Sequence, residues 1–377
     1  MPFLTVLLVA AAIAQAPGLP AGQPLPRVVC AADASQSYAL YLPATYSPDR
    51  AWPLILGFDP GGRGTNPVDR YQAAAERYGY IVAGSNNSRN GSADVGPAIA
   101  AFTTDVFARF NIDRRRVYAA GMSGGARVAL GVALGSNAIA GVIASSTGYP
   151  DSRRRKSLPF PLFMTAGTED FNHLEMRMVD RELDSPHHLA VFEGGHTWLS
   201  SALAEEAIGW MEIQAMKSGI AARDEAEIDR ILATRLAAAD AAKMDADRFV
   251  ALQSLSEDFR GLREVAQFAS RADALGRDKN VRAALKRDRD EDDREQRLLE
   301  DVRTAEARLA SGDERSQTLL ELRQRWKDLA ERARKPDDSP DRRLARRVLS
   351  NLSATVLSTD ADYLKIVAQY RTGRGAR

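Results

Sequence analysis

The sequence predicts an α/β protein, a mostly parallel sheet with helices on both faces, followed by an all-helical region. Three observations carry this. Between residues 37 and 216, short apolar strand-like runs alternate with helix-like segments over short links, the pattern of crossover-connected parallel strands. Two of those runs, Trp52 to Phe58 and Tyr80 to Gly84, are almost continuously apolar, as strands buried on both faces must be. After about Met216, Pro and Gly become scarce while Ala, Leu, Arg, Asp and Glu dominate. A chain of 377 residues also has two folding units as its natural expectation.

In chain order, Phe3 to Ala14 is almost wholly apolar and is followed by Ala14-Gln15-Ala16. This small-x-small pattern marks residues 1–16 as a signal peptide, with export to the periplasm or exterior and a mature start at Pro17. The run is too short for a stable membrane anchor. It lacks a leading Lys or Arg, so a buried N-terminal helix is the alternative. Residues 17–27, rich in Pro and Gly, suit an extended lead-in.

Strands are expected at Tyr38 to Pro43, Trp52 to Phe58, Tyr80 to Gly84, Arg116 to Ala120, Gly141 to Ala144, Leu162 to Ala166 and Leu189 to Phe192. Helices are expected at Val68 to Tyr78, Ala98 to Phe110 and after Gly125, and the helix Ser200 to Met216 closes a unit of residues 17–217. In residues 218–377, apolar positions recur at helical spacing, as at Leu298, Val302, Ala305 and Leu309, then Leu319, Leu322, Trp326 and Leu329. Breaks fall at Gly261, Gly276, Gly312 and Lys335 to Pro340. The expectation is an all-helical domain or an array of stacked hairpins loosely like tetratricopeptide repeats. The mixed-charge run 286–297 suits a solvated helix. The two regions are expected to hold separate cores, so that residues 17–217 fold alone.

Composition sets limits. A net charge of +1 names no polyanionic partner, and mixed rather than segregated charge argues against nucleic-acid binding. The single cysteine, Cys30, allows no internal disulfide. All four histidines lie between 173 and 196, and no His/Cys cluster has metal-ligand spacing. No metal or other cofactor is expected.

The chemistry centres on Gly121-Met122-Ser123-Gly124-Gly125, set between the Arg116 strand and a small, apolar helix. A G-x-S-x-G turn in that setting is the nucleophile elbow of the α/β-hydrolase fold. The serine needs a strained, exposed turn, and glycines at 121 and 125 let strand and helix approach. The Gly124 N–H, at a helix start, suits an oxyanion donor. Partners sit at later strand ends. Asp170 follows the Leu162 strand, with Glu169 one residue away as the alternative acid. His196 follows the Leu189 strand through Gly194-Gly195. The order Ser123, Asp170, His196 is that of the fold's triad. Each has a plainer alternative: Asp170 as a helix N-cap, His196 as a solvated loop residue. His173, His187 and His188 are weaker candidates because none stands directly at a strand's C-terminal end.

The segment Tyr38 to Met216 resembles an α/β-hydrolase serine esterase of the secreted kind related to polyhydroxyalkanoate depolymerases, feruloyl esterases and dienelactone hydrolases. The matching stretches are Leu40 to Pro43, Trp52 to Gly62, Gly121 to Gly125, Ala166 to Asp170 and Gly194 to Trp198. The resemblance implies ester hydrolysis through an acyl-enzyme. Such families usually carry His-Gly after the second of these strands, whereas this chain has Asp59-Pro60. Proline has no N–H to donate, so Gly61 becomes the expected second oxyanion donor. A carboxylate at 59 would oppose an oxyanion unless it points away.

Residues 145–161 are too few for a helical lid, so an open cleft for a small or polymeric ester, a peptide or an acylated sugar is expected. Trp198 is a candidate floor for the substrate pocket, with packing in the core as the alternative. Arg153 to Lys156 is expected to be a solvated loop. The competing function is a catalytically weak hydrolase-fold module whose helical array recruits a protein partner.

Overall fold

The computed structural model describes residues 18–311 and 314–371. The expected signal peptide, residues 1–16, and Pro17 lie outside the described residues. Eight strands form one sheet: β1 (Leu25–Val29), β2 (Ser37–Tyr41), β3 (Trp52–Phe58), β4 (Ile81–Ser85), β5 (Ile112–Met122), β6 (Gly141–Ser145), β7 (Leu162–Gly167) and β8 (His187–Phe192). Their spatial order is β1-β2-β4-β3-β5-β6-β7-β8. Strands β1 and β2 pair antiparallel at one edge and the other ladders beyond the β2–β4 pair are parallel. This is an α/β-hydrolase fold with an all-helical C-terminal extension. The edge strand β1 falls where a lead-in was expected; its burial alternates too weakly to show in composition.

Side-chain alternation dictates the layers. Along β3, Leu54, Leu56 and Phe58 enter one core with Phe102 and Val106 of α2 (Gly96–Arg109) and with Ala126, Ala129 and Leu130 of α3 (Gly124–Leu134). Ile55, between them, enters the opposite core with Val68 and Tyr71 of α1 (Thr65–Tyr78) and with Ile208 and Trp210 of α5 (Ser201–Lys217). A period of two thus feeds both faces of the sheet. Helix α4 (His173–Glu182) fills the link between β7 and β8.

The extension comprises α6 (Glu225–Ala241), α7 (Asp245–Asp258), α8 (Ala266–Arg277), α9 (Lys279–Ser311), α10 (Arg315–Ala333), α11 (Pro340–Ala354) and α12 (Ala361–Tyr370). Helix α11 starts where the sequence breaks: Ser339 Oγ caps the Arg342 N–H and Pro340 takes the first turn, where its missing N–H costs nothing.

The sheet draws both of its cores from residues before 218, but the helical clusters reach across to it. Ile213 and Met216 of α5 pack with Ile228, Leu252 and Phe259 of α6, α7 and the segment that follows. Leu174 of α4 packs with Val302, Trp326 and Val348 of α9, α10 and α11. The run 286–297 is also not simply solvated. Asp292 and Glu295 are buried there, Asp292 facing Arg177 of α4 at 2.9 Å and Glu295 facing Arg347 of α11 at 2.7 Å. Mixed charge looked like solvent exposure in the sequence because the opposing charges come from elements far away in the chain.

Candidate active site

The Ser123 end is built by close backbone approach. Strand β5 runs into Ser123, whose φ of 52° and ψ of −125° are strained for a residue with a side chain. A Cβ on Gly121 would lie 2.3 Å from the Gly125 carbonyl carbon, and one on Gly125 would lie 2.0 Å from the Phe58 carbonyl oxygen. Only glycine fits both places, and the crowding holds Ser123 out at the C-terminal edge of the sheet. Gly124 opens α3, so its N–H has no preceding helical carbonyl to bond.

The other two residues come from neighbouring loops that interlock. A Cβ on Gly167 would lie 2.4 Å from the Gly194 carbonyl oxygen. The Thr168 N–H donates to Phe192 O at 2.9 Å and the Glu169 N–H to Gly194 O at 2.8 Å. The loop after β7 is thereby stitched to the loop after β8. The three expected triad residues come together: Ser123 Oγ lies 2.9 Å from His196 Nε2, and His196 Nδ1 lies 2.8 Å from Asp170 Oδ1. Asp170 is fully buried and also accepts the Asn172 N–H at 2.8 Å. The His196 ring stacks on Phe171 at 4.0 Å between centroids.

The alternatives lie elsewhere. Glu169 points to the helical extension, 3.0 Å from both Arg342 and Arg346. His173 is buried with Nδ1 3.0 Å from Gly167 O, and burial, with the Arg347 and Arg177 charges, pushes its pKa down to about 3. His188 stacks on Phe163 and meets Glu206, and His187 meets Asp180; neither contacts Ser123.

One sequence expectation needs correction, and Trp198 combines its two expected roles. The Gly61 N–H is committed to Asp59 Oδ1 at 2.8 Å, so in this arrangement it is not free for an oxyanion. The physical reason is the substitution already noted: a carboxylate at 59 folds back over its own loop, as Asp side chains do in turns. Trp198 does line the cleft, but most of it belongs to the core. It is 7% exposed, packs in the α1/α5 core and donates from Nε1 to Asp59 Oδ2 at 2.9 Å. Asp59 itself is buried; burial raises its pKa, but hydrogen bonds from Asn66, Trp198, Gly61 and Arg63 outweigh this and hold it below the usual value. Its charge is therefore spent inside the loop and does not face Ser123 bare.

Three functional candidates were missed. Asn90 covers Gly124: a Cβ there would lie 1.8 Å from Asn90 Oδ1 and 2.7 Å from Nδ2. Its N–H donates to Pro60 O at 2.8 Å, tying its loop to that of Asp59. Ser146, at φ 62°, donates from Oγ to Thr197 O at 2.9 Å, and its carbonyl accepts Asn172 Nδ2 at 2.8 Å. It joins the base loop to the acid loop. The third is helix α11. Arg347 Nη1 donates to Thr168 O at 2.9 Å and Asn351 Nδ2 to Phe171 O at 3.0 Å, bracketing Asp170. Only the asparagine-rich loop 85–92 offered any signal in the sequence; the others depend on long-range packing.

The cleft above Ser123 has a volume of about 1340 Å³ and is walled on one side by α10, α11 and the end of α12. Residues 145–161 form no helical lid over it, and the cleft stays open to solvent on the side away from the C-terminal helices, which wall it because α11 docks on the loop of Asp170. The basic run Arg153 to Lys156 lies outside this lining and pairs locally, Arg155 with Asp151 and Arg154 with Glu182.

No protein-family model matches the chain, and no curated protein matches it. Among solved structures, esterase 2 of the planctomycete Thermogutta terrifontis with propionate bound is 15% identical. The match covers 52% of this chain and 96% of that one, at a TM-score of 0.40. The same esterase phosphorylated by paraoxon is 16% identical over 50% of this chain and 91% of its own, with a TM-score of 0.37. A structure described as a thermostable esterase is 17% identical over 49% and 61%, with a TM-score of 0.37. The chemistry of the site rests on its own geometry.

Proposed function

We propose that this chain is a serine hydrolase of carboxylic esters acting through an acyl-enzyme. The observation that carries the reading is the continuous line Ser123 Oγ, His196 Nε2, His196 Nδ1, Asp170 Oδ1, with gaps of 2.9 and 2.8 Å. In this reading Ser123 Oγ attacks the ester carbonyl carbon and its proton passes to His196 Nε2. Asp170, buried, orients the ring and stabilises the imidazolium. The tetrahedral oxyanion meets the Gly124 N–H at the start of α3, and the Asn90 carboxamide takes the place of the second donor. Collapse expels the alcohol, which takes the proton from His196. Water, activated by the same histidine, then releases the acid and restores Ser123. The apolar leader with Ala14-Gln15-Ala16 supports export of this hydrolase.

The test is a fluorophosphonate probe with a small activated ester as a second readout. Wild-type protein is expected to label and turn over. Ser123→Ala is expected to abolish labelling and lower kcat by about 10³-fold or more. Labelling that survives in Ser123→Ala removes the assignment.

One observation favours a second reading. The Gly61 N–H is bound to Asp59, which leaves the oxyanion site with one backbone donor. A catalytically weak module whose helices gather a protein partner fits that. Absence of labelling in wild-type protein, with a folded chain, selects it.

A further inference from the structure

The cleft between the sheet and the C-terminal helices is strongly and unevenly charged. Five arginines line it, Arg63, Arg70, Arg334, Arg346 and Arg371, against two carboxylates, Asp59 and Glu169. The carboxylates are already matched. Asp59 takes four neutral donors and Arg63. Glu169 is held by Arg342 and Arg346, and Arg346 also donates to Ala333 O. Among the described residues, Arg70, Arg334 and Arg371 have no ion-pair partner, and all three are exposed. They come from two walls: Arg70 from α1, and Arg334 and Arg371 from the ends of α10 and α12. Like charges gathered on facing walls repel one another when the cleft is empty, and an anion between them removes that cost. Guanidinium groups also match carboxylates with paired donors.

We propose that the cleft selects an ester carrying a carboxylate, whose charge is held by Arg70, Arg334 and Arg371 while the ester carbonyl lies at Ser123. This rests on the hydrolase reading for its catalytic part, but anion recognition stands apart from turnover. A cleft of about 1340 Å³ exceeds the usual range for a small-molecule site, which leaves room for a charged group remote from the reacting carbonyl. Walls of low dielectric focus the field of the arginines and raise the local concentration of such a substrate.

Binding is tested without turnover by titrating full-length protein with 4-acetamidobenzoate and its neutral counterpart 4-acetamidobenzamide. The carboxylate is expected to bind at least about fivefold more tightly in low salt, with the advantage shrinking as ionic strength rises. In Arg70→Gln and Arg334→Gln, both exposed changes, the ratio is expected to move toward one. Equal affinity for both probes, or a ratio unmoved by salt and by both variants, overturns the proposal. Two pairs of substrates then say which half of the ester carries the charge: p-nitrophenyl hemisuccinate against p-nitrophenyl butyrate, and 4-acetoxybenzoate against 4-acetoxybenzamide. The expected result is that one pair shows a wild-type preference for the anion in kcat/KM that both variants reduce. Preferential binding of 4-acetamidobenzoate by protein that never labels with a fluorophosphonate would retain the anion site and discard the hydrolase.

Discussion

The two halves of the Ser123, His196 and Asp170 arrangement are held in place by different means. Ser123 is set by its own neighbourhood. Gly121, Gly125 and Phe58 crowd one another around it, on β5, α3 and β3, whose residues are largely buried. Asp170 and His196 sit on loops at the ends of β7 and β8, held to each other by backbone bonds and to α11 by Arg347 and Asn351. Close backbone packing within the sheet places Ser123, whereas a helix about 180 residues further along the chain holds the loop of Asp170. A site built this way can lose its acid–base pair while keeping a well-formed elbow.

Breaking the first half has the largest effect. Gly125→Ala puts a methyl 2.0 Å from the Phe58 carbonyl oxygen, a backbone atom that cannot swing away. Overpacking of this kind costs typically about 1–3 kcal/mol, and here it must also displace the Gly124 N–H. The expected outcome is a fall in kcat of at least about 10²-fold, with a lowered thermal midpoint. Probe labelling and a melting curve check both. Wild-type labelling in a folded Gly125→Ala protein would mean that elbow crowding does not position the serine.

The difference between the halves also explains what could be seen in the sequence. The elbow is contiguous, so its five residues announce both the turn and its chemistry. Asp170 and His196 were legible because each stands just beyond an apolar strand-like run, in the order the fold requires. The layered sheet was legible because strands buried on both faces, such as β3 and β4, are almost continuously apolar. Asn90 was not, because its place over Gly124 depends on how the loop after β4 folds back. The fate of Gly61 turned on a side-chain bond to Asp59 that composition cannot show. The docking of α11 was invisible for a stronger reason. The partners of its arginines lie far away in the chain, and only the fold brings Glu169, Glu291 and Glu295 against them.

The second half is tested through Arg347. Its side chain is buried, pairs with Glu295 at 2.7 Å and Glu291 at 2.8 Å, and donates to Thr168 O. Arg347→Met leaves Glu295 buried without its partner, which costs about 3–5 kcal/mol. Adding Glu295→Gln removes the orphaned charge and is expected to recover much of the midpoint. It does not restore the bond to Thr168 O, so the double variant is expected to stay below wild type in kcat with small change in KM. Full recovery of both stability and kcat would show that α11 supports the fold but does not position Asp170. By the same logic a chain cut at residue 217 exposes Ile213, Met216 and Leu174 and is expected to be poorly soluble, against the expectation from composition. A soluble fragment with a wild-type midpoint would restore the view of two independent cores.

The smallest effect concerns His173, beside the junction of the two regions. It is buried, with its pKa pushed down to about 3 by burial first and by the Arg347 and Arg177 charges next, while Gly167 O and the Asp170 carboxylate act in the opposite direction. The folded state therefore keeps the ring neutral where the unfolded chain takes up a proton below about 6.5. The unfolded state binds more protons in that window, so stability falls as pH drops from about 6.5 toward 3. Its contribution is at most about 1.4 kcal/mol per pH unit. His173→Gln removes the titration while keeping a donor that can reach Gly167 O. Between pH 6.5 and 5 its thermal midpoint is expected to fall less than that of wild-type protein, although it starts lower at pH 7 from imperfect packing. Parallel pH profiles for the two proteins would show that the junction does not discriminate against a charged ring at 173. A shallower profile for His173→Gln that Arg347→Met also displays would instead assign part of the depression to the arginine, and with it would tie α11 once more to the loop that carries Asp170.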